Sequence, residues 1–243
     1  MFILTLISAA AALSATQPVT GDEVGSISGK VVWEGDRPEA KPDHVMDEKA
    51  TTGCKHDSMS KKDESLMIDA AGGVANVVLT IELAGVKPTV PTEPVEFDQE
   101  GCHFKTHVAV VPVGATLRFL NNDDTNHNIH TYAKKNSAIN KNIAPAGNAD
   151  QLLDKAEVID VKCDVHPWMK AYVVVTDAAK FAVTGADGSF KIEGLPAGDY
   201  ELSWWHEELG KGKTAKVTVA AGKDTTLEHK VSAEKKAGGG RRR

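Results

Sequence analysis

The sequence predicts an all-β protein, built as a sandwich or barrel. Three observations carry this: many short runs of alternating apolar and polar residues, turn residues between them at close intervals, and little helical periodicity. Ser26 to Trp33 alternates and ends at the turn Glu34-Gly35-Asp36, so one face meets a core and the other meets water. Residues 34 to 64 are polar, hold Pro38 and Pro42, and read as a long loop. Ala75 to Leu83 is a second strand, followed by a proline-spaced linker from Val86 to Pro94. Strand-like runs then cover residues 106 to 112, 115 to 121, 127 to 132 and 156 to 163, with a fifth from Lys170 to Thr176. The polar stretch Lys134 to Ala156 is expected to hold one helical turn at most. Phe181 to Thr184 and Ser189 to Ile192 read as two strands around the Gly-bearing turn Gly185 to Gly188. A turn at Leu195 to Gly198 leads to the strand Tyr200 to Trp205, and two more strands are expected at residues 213 to 219 and 225 to 231.

The chain has 243 residues, enough for one or two domains with buried cores. It carries 28 Lys+Arg against 34 Asp+Glu, a net charge of -6, which argues against nucleic acid as a partner. Residues 233 to 243 form a Gly-rich basic tail without apolar content, expected to be disordered. Met1 to Ala15 is an apolar run ending in small residues, and residues 1 to 19 read as a signal peptide, although no Lys or Arg precedes the run. It is shorter than the roughly 20 residues that span a bilayer. Periplasmic or secreted location is therefore expected, with no transmembrane segment and with disulfides allowed.

The chemistry concentrates in Val161-Lys162-Cys163-Asp164-Val165-His166-Pro167-Trp168-Met169. A thiolate, an imidazole and a thioether sit between two strands, so a short loop can aim all three at one ion. Two histidines and a cysteine in a plane, with a weak axial methionine, make a copper site for electron transfer. Zinc sites more often repeat Cys and His ligands without methionine. The missing imidazole must come from elsewhere, and Asn121 to His130 offers His127 and His130. Alternation puts these two on opposite faces, so one of them reaches the metal.

Residues 97 to 177 resemble the cupredoxins, with the short loop similar to that of amicyanin-type and methylamine-utilisation proteins. The resemblance rests on H-N-I-H at His127 to His130, on C-x-x-H-P-W-M at Cys163 to Met169, and on the strand Pro112 to Asn121 that leads to the first histidine. It implies a Greek-key β-sandwich and one copper per chain, cycling between Cu(I) and Cu(II), held by His127, Cys163, His166 and Met169. Asn128 would stand behind these ligands, its backbone N–H directed at the Cys163 sulfur. His166 would be the electron exit port, reaching the surface through an apolar docking patch at Pro167 and Trp168. His103, His107 and His206 read as packing or surface residues. Asp123 and Asp124 read as part of a solvated loop.

With Cys163 assigned to copper, Cys54 and Cys102 remain, and a Cys54–Cys102 disulfide is expected. It would tether the long loop to the copper domain, contributing about 4 kcal/mol by loop closure. The alternative is a second metal at Cys54 with His56, or at Cys102 with His103 and His107; His130 and His206 are further candidates for a second site. Thr184 to Leu202 resembles the carboxypeptidase regulatory-like, transthyretin-type sandwich, and Ile27 to Pro38 resembles its opening strand. Residues 23–85 and 178–232 then form one split sandwich, with the cupredoxin at 86–177 nested in it; two tandem domains are the competing arrangement. The function implied is an exported electron carrier without enzymatic turnover, serving a redox protein of cytochrome or dehydrogenase type. A copper-handling protein and an adhesion or carbohydrate-binding module are the alternatives.

Overall fold

The computed structural model describes residues 24–46, 48–49, 51–55 and 59–233. The segment expected to be a signal peptide, His56 and the tail from residue 234 onward lie outside the described residues. Among the described residues every regular element is a strand, seventeen in all. They form two sandwiches with separate cores.

The first sandwich uses β3 (Val95–Gln99), β4 (Val108–Pro112), β5 (Ala115–Asn121), β6 (His127–Thr131), β7 (Asn140–Ile143), β8 (Asn148–Leu153), β9 (Glu157–Lys162) and β10 (Lys170–Thr176). Its sheets run β4-β10-β9-β6-β7 and β3-β5-β8. β5 alternates buried and half-buried positions along its whole length, turning Leu117 and Phe119 inward. Opposite them, Ile129, Ile159, Val161 and Val173 fill the gap between sheets. Such alternating burial is what stabilises one register over its one-residue slip. β9 and β10 pair antiparallel from Val175 opposite Glu157 to Lys170 opposite Lys162. That ladder fixes where the intervening loop, Cys163 to Met169, begins and ends.

The second sandwich uses β1 (Val24–Trp33), β2 (Val78–Ile81), β11 (Lys180–Val183), β12 (Ser189–Pro196), β13 (Gly198–Tyr200), β14 (Ser203–His206), β15 (Gly210–Lys213), β16 (Val217–Val219) and β17 (Asp224–Val231). Sheets β12-β1-β17 and β11-β2-β14-β15 enclose Ile27, Val31, Leu79, Ile81, Ile192 and Leu202, and β13 pairs with β16. A smaller apolar patch joins the two sandwiches: Val108, Tyr172 and Val174 of the first pack with Val78 of the second, with Trp205 against them.

Three expectations from the sequence are corrected. Residues 134 to 156 contain no helical turn; they hold β7 and β8, paired to β6 and β5. These strands keep mostly polar side chains in water and bury only Ile143, Gln151 and Leu153, so no apolar alternation announces them. The strands flanking Gly185 to Gly188 are not ladder partners. β11 pairs with β2 and β12 with β1, so the turn carries the chain from one sheet to the other. Gly188 sits there at φ +75, and an added Cβ would lie 2.5 Å from the Val31 carbonyl oxygen, so the crossing needs glycine. Tyr200 to Trp205 is likewise split into β13 and β14, which join different sheets.

Candidate metal centre

The first histidine of the motif opens β6, the cysteine follows the end of β9, and the methionine precedes the start of β10. Two backbone bonds close the loop between them. The Cys163 N–H donates to the Met169 carbonyl at 3.2 Å, and the Met169 N–H donates to the His166 carbonyl at 2.9 Å. Met169 is buried at the base of this turn.

The structure brings His127, Cys163 and His166 together. Their nearest donor atoms all lie within 4.8 Å of one another and all three residues are buried. His127 Nδ1 is 3.0 Å from His166 Nδ1, and Cys163 Sγ is 3.6 Å from His166 Nδ1. Metal–nitrogen bonds of about 2.0 Å and metal–thiolate bonds of about 2.3 Å place donors around one ion at roughly this spacing. The donor set is soft sulfur plus imidazole, which suits copper. The residues present therefore fit the ion that the motif implies.

Hydrogen bonds prepare each donor. His127 Nε2 meets Asp123 Oδ2 at 2.8 Å, which orients the ring with Nδ1 toward His166. Burial resists ionisation of the Cys163 thiol. Hydrogen bonds from His127, His166 and the Asn128 N–H outweigh it and bring the pKa down to about 6, so the thiolate is available at neutral pH. The Asn128 N–H lies 3.4 Å from the sulfur. Its side-chain amide donates to Asn140 Oδ1 at 2.6 Å, and its own oxygen accepts the Asp164 N–H at 3.2 Å, so one residue braces three strand ends.

Asp123 is the residue that sequence reasoning missed. Far from being solvated, it is 1% exposed. Its carboxylate accepts N–H bonds from Lys55 at 2.9 Å, Gly101 at 2.7 Å and Cys102 at 2.8 Å, besides that of His127. Burial works against this charge, yet those bonds hold its pKa well below the usual carboxylate range. The one available signal was its spacing, four residues before His127.

The exit-port expectation is corrected. His166 is only 1% exposed, and its Nε2 faces Cys102 Sγ at 3.8 Å. Cys102 belongs to a disulfide with Cys54, Cα to Cα 5.3 Å, which takes both cysteines out of any second metal site in this form of the protein. Pro167 is exposed, while Trp168 is half-buried over His166, its Nε1–H donating to the Cys102 carbonyl at 2.8 Å. Trp168 borders a cleft of about 170 Å³, with Lys41, His44 and Glu64 of the long loop also lining it.

Three further histidines, His130, His107 and His206, make other contacts. His130 is on the outer face of β6, where it meets the Asp164 carboxylate at 3.1 Å and stacks on Tyr132. His107 is buried against the Glu207 carboxylate between the sandwiches. His206 is buried and accepts the Glu208 N–H at 3.2 Å.

Comparisons with known proteins bear on both halves of the chain. Residues 158–232 match the carboxypeptidase regulatory-like domain. The match starts within β9, so it takes in β9 and β10 of the first sandwich, while β1 and β2, which lie outside it, complete the second core. Among curated proteins none matches this chain. Of solved structures, amicyanin from Paracoccus versutus is similar at 20% identity, over 40% of this chain and 97% of its own, with a TM-score of 0.32. A purple cupredoxin from Nitrosopumilus maritimus is similar at 20% identity, over 34% of this chain and 99% of its own, with a TM-score of 0.30. A copper-containing nitrite reductase from Thermus scotoductus is similar at 20% identity, over 37% of this chain and 25% of its own, with a TM-score of 0.33.

Proposed function

We propose that this chain is an exported mononuclear type 1 copper protein that carries single electrons between redox proteins. One observation carries the reading: two imidazole Nδ1 atoms and a thiolate converge in a buried pocket, with a buried methionine closing the same loop. The chemistry that copper supplies in such a site is one-electron exchange. The chain's own part is to hold the donors in place beforehand, through Asp123 on His127 and through the Asn128 N–H on Cys163. Export is supported by the Cys54–Cys102 bridge, since disulfides persist in oxidising compartments. No helix of the described residues is long and apolar enough to cross a membrane.

Burial of His166 changes the docking face. A partner would approach over Pro167 and Trp168 and the edge of the long loop, rather than over a bare imidazole edge. Visible spectroscopy with a metal count tests the reading. One copper per chain is expected, with an intense thiolate-to-copper band that Cys163→Ser abolishes. A colourless copper(II) form with one ion bound per chain would instead indicate metal handling and would overturn the carrier reading.

A further inference from the structure

The Cys54–Cys102 disulfide reaches both imidazoles of the site from outside. On one side Cys102 Sγ lies 3.8 Å from His166 Nε2. On the other, the Asp123 carboxylate gathers the N–H groups of Lys55, Gly101 and Cys102, which flank the two ends of the bridge, and the Nε2–H of His127. Cys102 sits at φ +52, in the left-handed region that non-glycine residues rarely adopt, and in this conformation its N–H meets Asp123. The Trp168 indole N–H fastens the metal-binding loop to the Cys102 carbonyl. Cys102, Asp123, His127 and His166 are all buried, so this linkage is a continuous packed path and not a surface contact.

We propose that the Cys54–Cys102 disulfide is a positioning element for both metal-site histidines, acting on His127 through Asp123 and covering the outer edge of His166 with sulfur. The bridge pins the chain at Cys54 and Lys55 against the metal site. Its purpose rests on the copper reading, but its hold on the two rings is a property of the metal-free chain.

Metal-free protein is therefore the first test. Diethyl pyrocarbonate labelling, mapped by peptide mass, should find His166 protected in the wild type. It should react about tenfold faster in Cys54→Ser/Cys102→Ser, as expected when a local cover opens. Equal rates in the two proteins overturn the proposal. Asp123→Asn, with the disulfide intact, gives a second test that does not need the double variant to fold. Reactivity should rise about tenfold at His127 while His166 stays protected; no rise at His127 removes Asp123 as the connecting strut. In copper-loaded protein the double variant should lose Cu(I) to a chelator about tenfold faster, with a shifted visible band. An unshifted band and an unchanged rate of loss count against positioning. If neither protein forms a coloured copper centre, the electron-carrier reading fails, while the metal-free labelling still decides the role of the disulfide.

Discussion

Asn128 serves the centre with both its backbone and its side chain. The N–H meets the Cys163 sulfur, and the side chain ties β6 to Asn140 on β7 and to the Asp164 N–H after β9. Asn128→Ala keeps the first bond and deletes the others. Urea unfolding of the metal-free protein should show a loss of about 1 to 2 kcal/mol, because two part-buried hydrogen bonds, to Asn140 and from the Asp164 N–H, are lost; an unchanged midpoint would remove the side chain from this role. The Cys163 to Met169 motif was legible because few residue types offer a soft thiolate, imidazole and thioether together, and Asn128 was legible only through the resemblance to the cupredoxins. Asp123 was not legible. A carboxylate in a run of Asn and Asp looks the same whether it faces water or a pocket. Its partners are backbone N–H groups at residues 55, 101 and 102, which no local pattern reveals.

At the scale of elements, β1 is the strand most exposed to a single change. It is the middle strand of its sheet, antiparallel to β12 and parallel to β17, with Gly29 opposite Leu227. A Cβ on Gly29 would fall 1.7 Å from the Leu227 carbonyl oxygen, so the two backbones pass too closely for any side chain. Gly29→Ala should cost about 3 kcal/mol, at the upper end for overpacking because the obstacle is main chain and cannot rotate away. Thermal unfolding checks this, and a variant with wild-type stability would show that β17 can move aside. Strands such as β5 and β10 were legible from apolar alternation or a continuous apolar run. β7 and β8 were not, since their outward faces carry Asn, Lys and Asp, and a polar residue, Gln151, takes one of the few inward positions. The turn between β11 and β12 has the residues of a hairpin. Whether such a turn joins two partners or crosses between sheets depends on where the flanking apolar faces are buried, and that is decided by distant strands.

Across the whole molecule, the two sandwiches are joined by apolar contact and by one buried charge. Glu207, in the second sandwich, meets His107 and accepts a hydrogen bond from Lys170 Nζ at 2.8 Å, beside the Cys163 to Met169 loop of the first. Burial opposes that carboxylate's charge, and its hydrogen bonds with His107 and Lys170 still hold its pKa below the ordinary value. The adjacent His206 is pushed the other way: burial lowers its pKa from 6.5 to about 4. In the unfolded chain this imidazole takes up a proton near pH 6.5, while the folded protein refuses it until about pH 4. Its contribution to stability is thus complete above pH 6.5 and is lost as the pH falls toward 4. The loss is on the order of 3 kcal/mol, and His206→Gln should flatten the dependence in urea titrations across that range; equal slopes would contradict this account. The sequence by itself determined the all-β class, the alternating strands and the sulfur–imidazole motif, because periodicity and ligand chemistry are written in neighbouring residues. Only the tertiary structure decided which sheet each strand joins, which carboxylate orients His127, and that His166 lies under a disulfide instead of at the surface. Those outcomes depend on segments far apart in the chain, such as Cys54 and Cys102 at a sequence separation of 48, and on which buried polar groups find partners when the two cores close.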